Sequence, residues 1–507
     1  MTNTINTINE QTSPPPHKSF ARKVREFLWP IYGKEHFKFI PMTCMISLIL
    51  FNYTLVRQMK DVLVMTAAEG SQITVFLKGW AVLPAAVIFF MVYSKLSNIF
   101  SRQTMFYGVV TFFLAFFALF ALVLYPNQEL IHPIAQADQW IAQSPKALIN
   151  FIVMYKFWSL SLFYTMAELW GAVVAALLFW QFANSIVHVS EAKRFYAHFY
   201  LLANIATAAS GLIAKQYSTL GKATGNYGIT VDYAMATVVA CGIAVIFFYF
   251  FMDKYVLATP IAAANDLEAA PKKKKLKLSL SESIKFILHN RYLLWITILV
   301  ISYGISINLI EVQWKNQIRT LFPDKASQGE FFGQFYFWAG ISTFCVILVG
   351  SSLIRWLGWR VAALATPIMI GLTGAILFYF IIWGESANLV AGMLGTTALT
   401  FTVYFGAIQN ILSKSTKYAL FDPTKEMSYI PLDEESKVKG KAAVDVVGGR
   451  LGKAGGGYLQ QGLFAIFLTP LVVAPYSASI MLVIVLIWII AVYKLYTLFV
   501  LAGGEND

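Results

Sequence analysis

The chain has 507 residues, of which 58% are hydrophobic and 13% charged, and its mean hydropathy is +0.63. A soluble domain cannot hide that much apolar surface, so the composition points to a polytopic membrane protein. The net charge of +13 invites a nucleic-acid reading, but the basic residues fall mainly in short loops between apolar runs, where topology alone places them; no nucleic-acid partner is expected.

Residues 1–38 read as a cytoplasmic tail. Their opening, MTNTINTINEQTSPPP, is polar and proline-rich and lacks the apolar stretch of a cleaved signal peptide, so the first span is expected to act as the insertion signal. The stretch 19–37, SFARKVREFLWPIYGKEHF, mixes basic and apolar residues at near-helical spacing. It fits an interfacial amphipathic helix as well as a solvated basic leader.

Apolar runs long enough to cross ~30 Å of hydrocarbon recur near 39–64, 73–96, 103–125, 150–187, 194–217 and 229–254. The fourth is long but has no internal proline or turn cluster, so it reads as one tilted helix. Residues 255–286 form the one long charged linker in mid-chain, with the run PKKKKLKL. Further runs lie near 287–315, 328–354, 360–383, 388–413, 438–468 and 476–499, before a tail at 500–507.

The predicted fold is therefore all-α: twelve transmembrane helices in two six-helix bundles, 39–254 and 287–499, on the major facilitator plan. The halves echo one another, with Tyr53 aligning with Tyr303 and Lys60-Asp61 falling beside Ile310-Glu311. Lys and Arg concentrate on one side of the membrane, which places both termini in the cytoplasm.

Cys44, Cys241 and Cys345 lie within apolar runs and share no metal-binding spacing, so they read as buried free thiols. The histidines, His17, His36, His132, His188, His198 and His289, are scattered. A multipass enzyme would need them clustered with acids or thiols, so neither enzymatic activity nor a cofactor is expected.

The functional signal is charge in the wrong solvent. Arg57, Lys60, Glu168, Glu311, Arg450 and Lys453 sit inside or against apolar spans, where each costs roughly 2.5–3.5 kcal/mol at a bilayer centre. Arg57 and Lys60 share a helical face three residues apart, and Arg450 and Lys453 repeat that spacing within VVGGRLGKAGGG. Such pairs suit phosphate oxygens, Arg by its fork and Lys as a point charge; the plain alternative is snorkelling to the headgroups. Asp61, four residues from Arg57, is placed to hold it. The glycines permit close helix packing or close approach of a ligand. They do not form a Walker loop, since Val447 and Ala454 stand where Gly and Ser/Thr are required. Glu168 and Glu311 read as partners for bases across the bundles, as proton sites, or as static ion pairs. Tyr164, Glu168 and Gly171 share a face. Lys78 reads as facing the cavity and Lys156 as snorkelling.

RQMKDVLVMTAAEG (57–70), MAELWGAVVAALLFWQFANSI (166–186), ISYGISINLIEVQWK (301–315), FDPTKEMSYIPLDEESKVKGKAAVDVV (421–447) and LGKAGG (451–456) together resemble the nucleotide transporter family. These are the non-mitochondrial ATP/ADP translocases of obligate intracellular bacteria and plastids. The resemblance covers about 30–500. It implies a carrier exchanging ATP for ADP, with phosphate co-transport in some members, and carries the family's functional charges onto Lys60, Glu168, Glu311 and Lys453. Arg57 and Arg450 join them by spacing alone. The expectation is a monomer in a bacterial inner membrane that imports host ATP and returns ADP. The alternatives are a proton-coupled nucleoside triphosphate importer on the same fold and a lipid-phosphate or drug exporter.

Overall fold

A backbone surrounded by hydrocarbon must satisfy its N–H and C=O groups internally, and a single run does so as a helix. The computed structural model of the protein obeys this. It describes residues 31, 33–67, 70–187, 189–257, 280–433, 436–467 and 469–503, which are helical or turn with no strand among them. The predicted interfacial helix at 19–37 lies almost wholly outside the described residues, as do most of the basic linker and the end of the C-terminal tail.

The long helices of the first half are α1 (His36–Ala67), α2 (Ile73–Leu96), α3 (Arg102–Leu124), α4 (Trp158–Ile186), α5 (Val189–Ala223) and α6 (Tyr227–Val256). The second half opens with α7 (Arg291–Leu321). A continuous helix Lys325–Trp383 follows and is broken by Gly358 at φ 73°, which gives α8 (325–357) and α9 (359–383). Glycine takes that left-handed φ without a Cβ penalty. The half is completed by α10 (Ala398–Thr416), α11 (Lys441–Phe467) and α12 (Pro470–Leu501).

Ten helical stretches are long and apolar enough to cross a membrane, so the protein is a multi-pass membrane protein. The other two predicted spans, α10 and α11, fall outside that set. Both are polar for their length, carrying Gln409, Asn410 and Lys414, and the Arg450–Lys453 segment.

Two expectations need correction. The run 150–187 is not one tilted helix: a short helix Lys146–Lys156 ends at Phe157 (φ −114°, ψ 47°), and α4 starts afresh at Trp158. The tenth span starts at Ala398 instead of 388, because Asn388–Met393 is a separate short helix ended by Gly395 (φ 70°). The last part of the predicted linker is also structured, as the helix Leu280–His289.

Each half has its own apolar core, and Val62 of α1 belongs to the second half's core despite its place in the first. Aliphatic and aromatic side chains such as Leu122, Ile243 and Trp356 point outward, as a lipid-facing surface requires. Cys44 and Cys241 are half-buried, whereas Cys345 is exposed, contrary to its reading as a buried thiol; all three are free.

The halves meet chiefly at the end of the molecule opposite the start of α1 and the end of α12, called here the far end. There α8 lies directly on α5: a Cβ on Gly333 would come within 2.7 Å of the Gly211 carbonyl oxygen, and one on Gly340 within 2.7 Å of that of Asn204. Small residues let two backbones approach this closely. Around that contact, Gln58 Nε2 donates to Gly329 O at 2.8 Å and Ser71 Oγ to Val312 O at 2.9 Å. On the other flank Gln461 accepts from Trp80 Nε1 at 2.8 Å and donates to Val75 O at 3.0 Å.

Candidate substrate-binding site

α1 runs through the middle of the fold, so polar residues on it are sealed from both lipid and water. Lys60 and Asp61 are each 1% exposed. A buried ion needs a partner and full hydrogen bonding to persist, and here a run of five alternating charges supplies both.

Lys60 Nζ lies 3.0 Å from Glu168 Oε1 on α4 and 2.8 Å from Asp61 Oδ1. Asp61 Oδ2 takes Lys315 Nζ of α7 at 2.8 Å, and Lys315 reaches Glu311 Oε1, one turn earlier, at 2.7 Å. The order is Glu168, Lys60, Asp61, Lys315, Glu311. The middle is shut while the ends are partly open, with the Glu168 and Glu311 side chains 21% and 18% exposed. Tyr164, four residues before Glu168 on the same face, lies under the Lys60 ammonium at 3.8 Å from the ring centroid.

Around this relay stand three cations with no carboxylate at ion-pair distance among the described residues. The Arg57 guanidinium is 5.8 Å from the centroid of the Tyr53 ring, with Tyr336, Glu311 and Glu168 in electrostatic reach. Lys78 of α2 feels Glu311 and Glu168. Lys414 of α10 sits 5.0 and 5.3 Å from the ring centroids of Phe335 and Tyr336. Five cations thus face three carboxylates, so the region as a whole is positive.

Local helix geometry contributes. Lys78 opens a π-helical turn, Lys78–Val82, and a second, Gly171–Leu178, begins one turn after Glu168. Such wide turns redirect side chains and gather at functional sites. Gly171 is needed where it stands: a Cβ there would lie 2.4 Å from the Tyr53 ring.

The structure brings Lys60, Glu168 and Glu311 into one network, with Arg57 beside it. Two sequence expectations change. Asp61 does not hold Arg57; it holds Lys60 and Lys315, while Arg57 lies against Tyr53. Glu168 and Glu311 do not pair across the bundles; each pairs within its own half, and Asp61 with Lys315 makes the cross-half bridge. The glycines around Arg450 and Lys453 serve helix packing: Gly452 abuts Val300 and Ile301 of α7, a Cβ on Gly304 would meet the Gly452 carbonyl carbon at 2.6 Å, and Gly456 lies against Ile305. The backbone places Arg450 and Lys453 on α11 beside α7, but their side chains lie outside the described residues. Lys156, outside this region, pairs with Asp138 at 2.5 Å.

Sequence reasoning missed Lys414, one residue beyond the predicted end of its span, and did not count Lys315, four residues after Glu311, among the site residues. The available signal was spacing: Gln409, Asn410 and Lys414 put polar side chains on successive turns of an otherwise apolar stretch.

The model of the family described as "TLC ATP/ADP transporter" matches residues 15–499. The chain is 44% identical over 491 residues to ADP,ATP carrier protein 1 of Chlamydia muridarum (strain MoPn / Nigg), covering 96% of this chain and 93% of that protein. It is 43% identical over 465 residues to ADP,ATP carrier protein 2, chloroplastic, of Arabidopsis thaliana, covering 90% and 74% respectively. Among solved structures, a bacterial homologue of the iron transporter ferroportin in its inward-facing state superposes with a TM-score of 0.57 at 12% identity, over 92% of this chain and 99% of that one, a likeness of fold alone. On sequence, the chain belongs to the TLC ATP/ADP transporter family.

Proposed function

We propose that the protein is an ATP/ADP antiporter working by alternating access, with both termini cytoplasmic in a bacterial inner membrane, taking up ATP and returning ADP. The carrying observation is the relay from Glu168 to Glu311, beside which Arg57, Lys78 and Lys414 have no ion-pair partner among the described residues. A site holding more cations than acids suits a polyanion, and the relatives' names identify the polyanions as ATP and ADP. The protein works as a monomer, the lipid bilayer is its solvent, and phosphate accompanies the nucleotide as a further anionic cargo.

In this reading Lys60, helped by Arg57, meets the phosphates from the first half. Lys453 and Arg450 meet them from the second, and Lys315 and Lys414 extend that second set. Glu168 and Glu311 hold Lys60 and Lys315 in position and offset part of their charge. No bond in the nucleotide is broken; its binding and release are the whole chemistry, and the halves rock about the site.

The test is counter-exchange of labelled ATP in proteoliposomes loaded with ADP, with AMP, GDP, phosphate or nothing. Rapid uptake with internal ADP and slow uptake into empty vesicles is expected. Equal uptake into empty vesicles under an imposed pH gradient would instead make the protein a proton-coupled importer.

A further inference from the structure

Asp61 is the residue at which the charge network crosses from one half to the other. One carboxylate oxygen takes Lys60 and the other takes Lys315, each at 2.8 Å, and the side chain is 1% exposed. The remaining bonds that close the far end are of other kinds. Gln58 to Gly329, Ser71 to Val312 and Gln461 to Val75 are neutral hydrogen bonds to carbonyls, and Lys222–Glu330 is a rim pair with the lysine side chain 52% exposed. Buried charge therefore crosses the interface at Asp61–Lys315 among the described residues.

Two anionic oxygens, each holding an ammonium from a different half, are also what a bound phosphate group would present. We propose that Asp61 is a tethered substitute for the substrate's phosphate, and that it makes exchange obligatory. The proposal rests on the nucleotide-exchange reading above. In the empty carrier Asp61 occupies Lys315 and holds the far end shut. An arriving phosphate takes Lys315 from Asp61, which stays on Lys60, and the nucleotide then spans the halves in its place. The loaded carrier replaces one anionic bridge with another as it turns over. The empty carrier has no replacement and would have to break the buried Asp61–Lys315 bridge with nothing in its place, which is unfavourable. Lys60 keeps Glu168 and Lys315 keeps Glu311 throughout, so neither lysine loses every partner when Asp61 is displaced.

The deciding measurement compares two fluxes in proteoliposomes: exchange of internal ADP against external ATP, and one-way efflux of labelled ADP into nucleotide-free buffer. Asp61→Asn is expected to raise the ratio of one-way flux to exchange roughly 100-fold, in line with the cost of breaking a buried pair. Asp61→Glu, which keeps the charge, leaves the ratio within about threefold of wild type, a small shift on the logarithmic scale of rates. An unchanged ratio in Asp61→Asn, or the same rise in both variants, overturns the proposal.

A second readout needs no transport. Spin labels at Ala223→Cys and Ser386→Cys, on exposed far-end positions of the two halves, are placed in a background where Cys44, Cys241 and Cys345 are Ser. Without nucleotide, adding Asp61→Asn should shift their distance distribution to longer separations; an unmoved distribution overturns the gate. Should the wild type exchange no nucleotide at all, the functional reading fails, while this measurement still decides whether Asp61 closes the far end.

Discussion

The ammonium of Lys60 lies on the face of the Tyr164 ring, 3.8 Å from its centroid, while the Tyr164 hydroxyl is buried without a hydrogen-bond partner among the described residues. The ring, and not the hydroxyl, therefore acts on the lysine. Tyr164→Phe keeps the ring and removes an unsatisfied polar atom, so exchange and thermal stability should equal or slightly exceed wild type. Tyr164→Leu removes a cation–π contact worth about 0.5–2 kcal/mol, which corresponds to a rise of roughly 2–30-fold in KM for nucleotide. Initial-rate measurements on the two variants separate the roles; equal loss in both would assign the effect to the hydroxyl.

Glu311 and Lys315 form an i,i+4 pair at 2.7 Å, embedded in the relay. Removing one partner of a buried pair typically costs about 3–5 kcal/mol. Glu311→Gln and Lys315→Gln should each lower the thermal midpoint in detergent, and the double variant should lose less than the sum, with a coupling of about 1–3 kcal/mol. Strict additivity would mean that the pair is not formed in solution.

The backbone contact between α7 and α11 separates two glycines that look alike in sequence. A Cβ on Gly304 meets the Gly452 carbonyl carbon at 2.6 Å, whereas the nearest neighbour of one on Gly455 is Ile305 at 3.9 Å. Gly304→Ala should destabilise by about 1–3 kcal/mol through overpacking. Gly455→Ala should stay within about 0.5 kcal/mol of wild type. Thermal unfolding of the purified variants checks both, and a reversed order would remove the packing role given to these glycines.

Asp324 caps α8 from the loop before it, accepting the Ser327 N–H at 2.7 Å. Burial pushes its carboxyl upward, but the hydrogen bonds from Ser327 outweigh this and hold it below the usual value. A carboxyl depressed in the folded state stabilises above its unfolded value, about pH 4, and loses that contribution as pH falls through the folded value. Asp324→Ala should therefore cost about 1 kcal/mol near neutrality, with the gap from wild type narrowing toward about pH 3. Thermal midpoints measured across that range test the sign; a gap that widens in acid would contradict it.

Much of the architecture was legible because hydrocarbon imposes one rule, an apolar run of helical length, and most of the chain obeys it. The rule failed where backbone chemistry intervened. No proline, glycine or turn cluster marks the break at Phe157, and Gly358 joins two helices without the loop that usually separates spans. The site was half legible. Lys60, Glu168 and Glu311 stood out as charges among apolar neighbours, but pairing depends on which helices touch. Proximity in sequence suggested Arg57 for Asp61, whereas Lys315, 254 positions away, is the residue that α7 brings to it. Lys414 escaped notice because a lysine at the end of an apolar run looks like any membrane-boundary cation.

Val62 follows Lys60 and Asp61 on α1, yet its side chain packs in the core of the other half. On the gate proposed above, that contact is lost when the far end opens, and it lies outside the core of the half whose helix carries it. Trimming this one aliphatic side chain would act as a change of conformational bias: each half keeps its own fold, and the resting population moves toward the far-open form without any charge being touched. In this carrier a substitution can therefore alter transport kinetics from a position that neither binds cargo nor holds either bundle together.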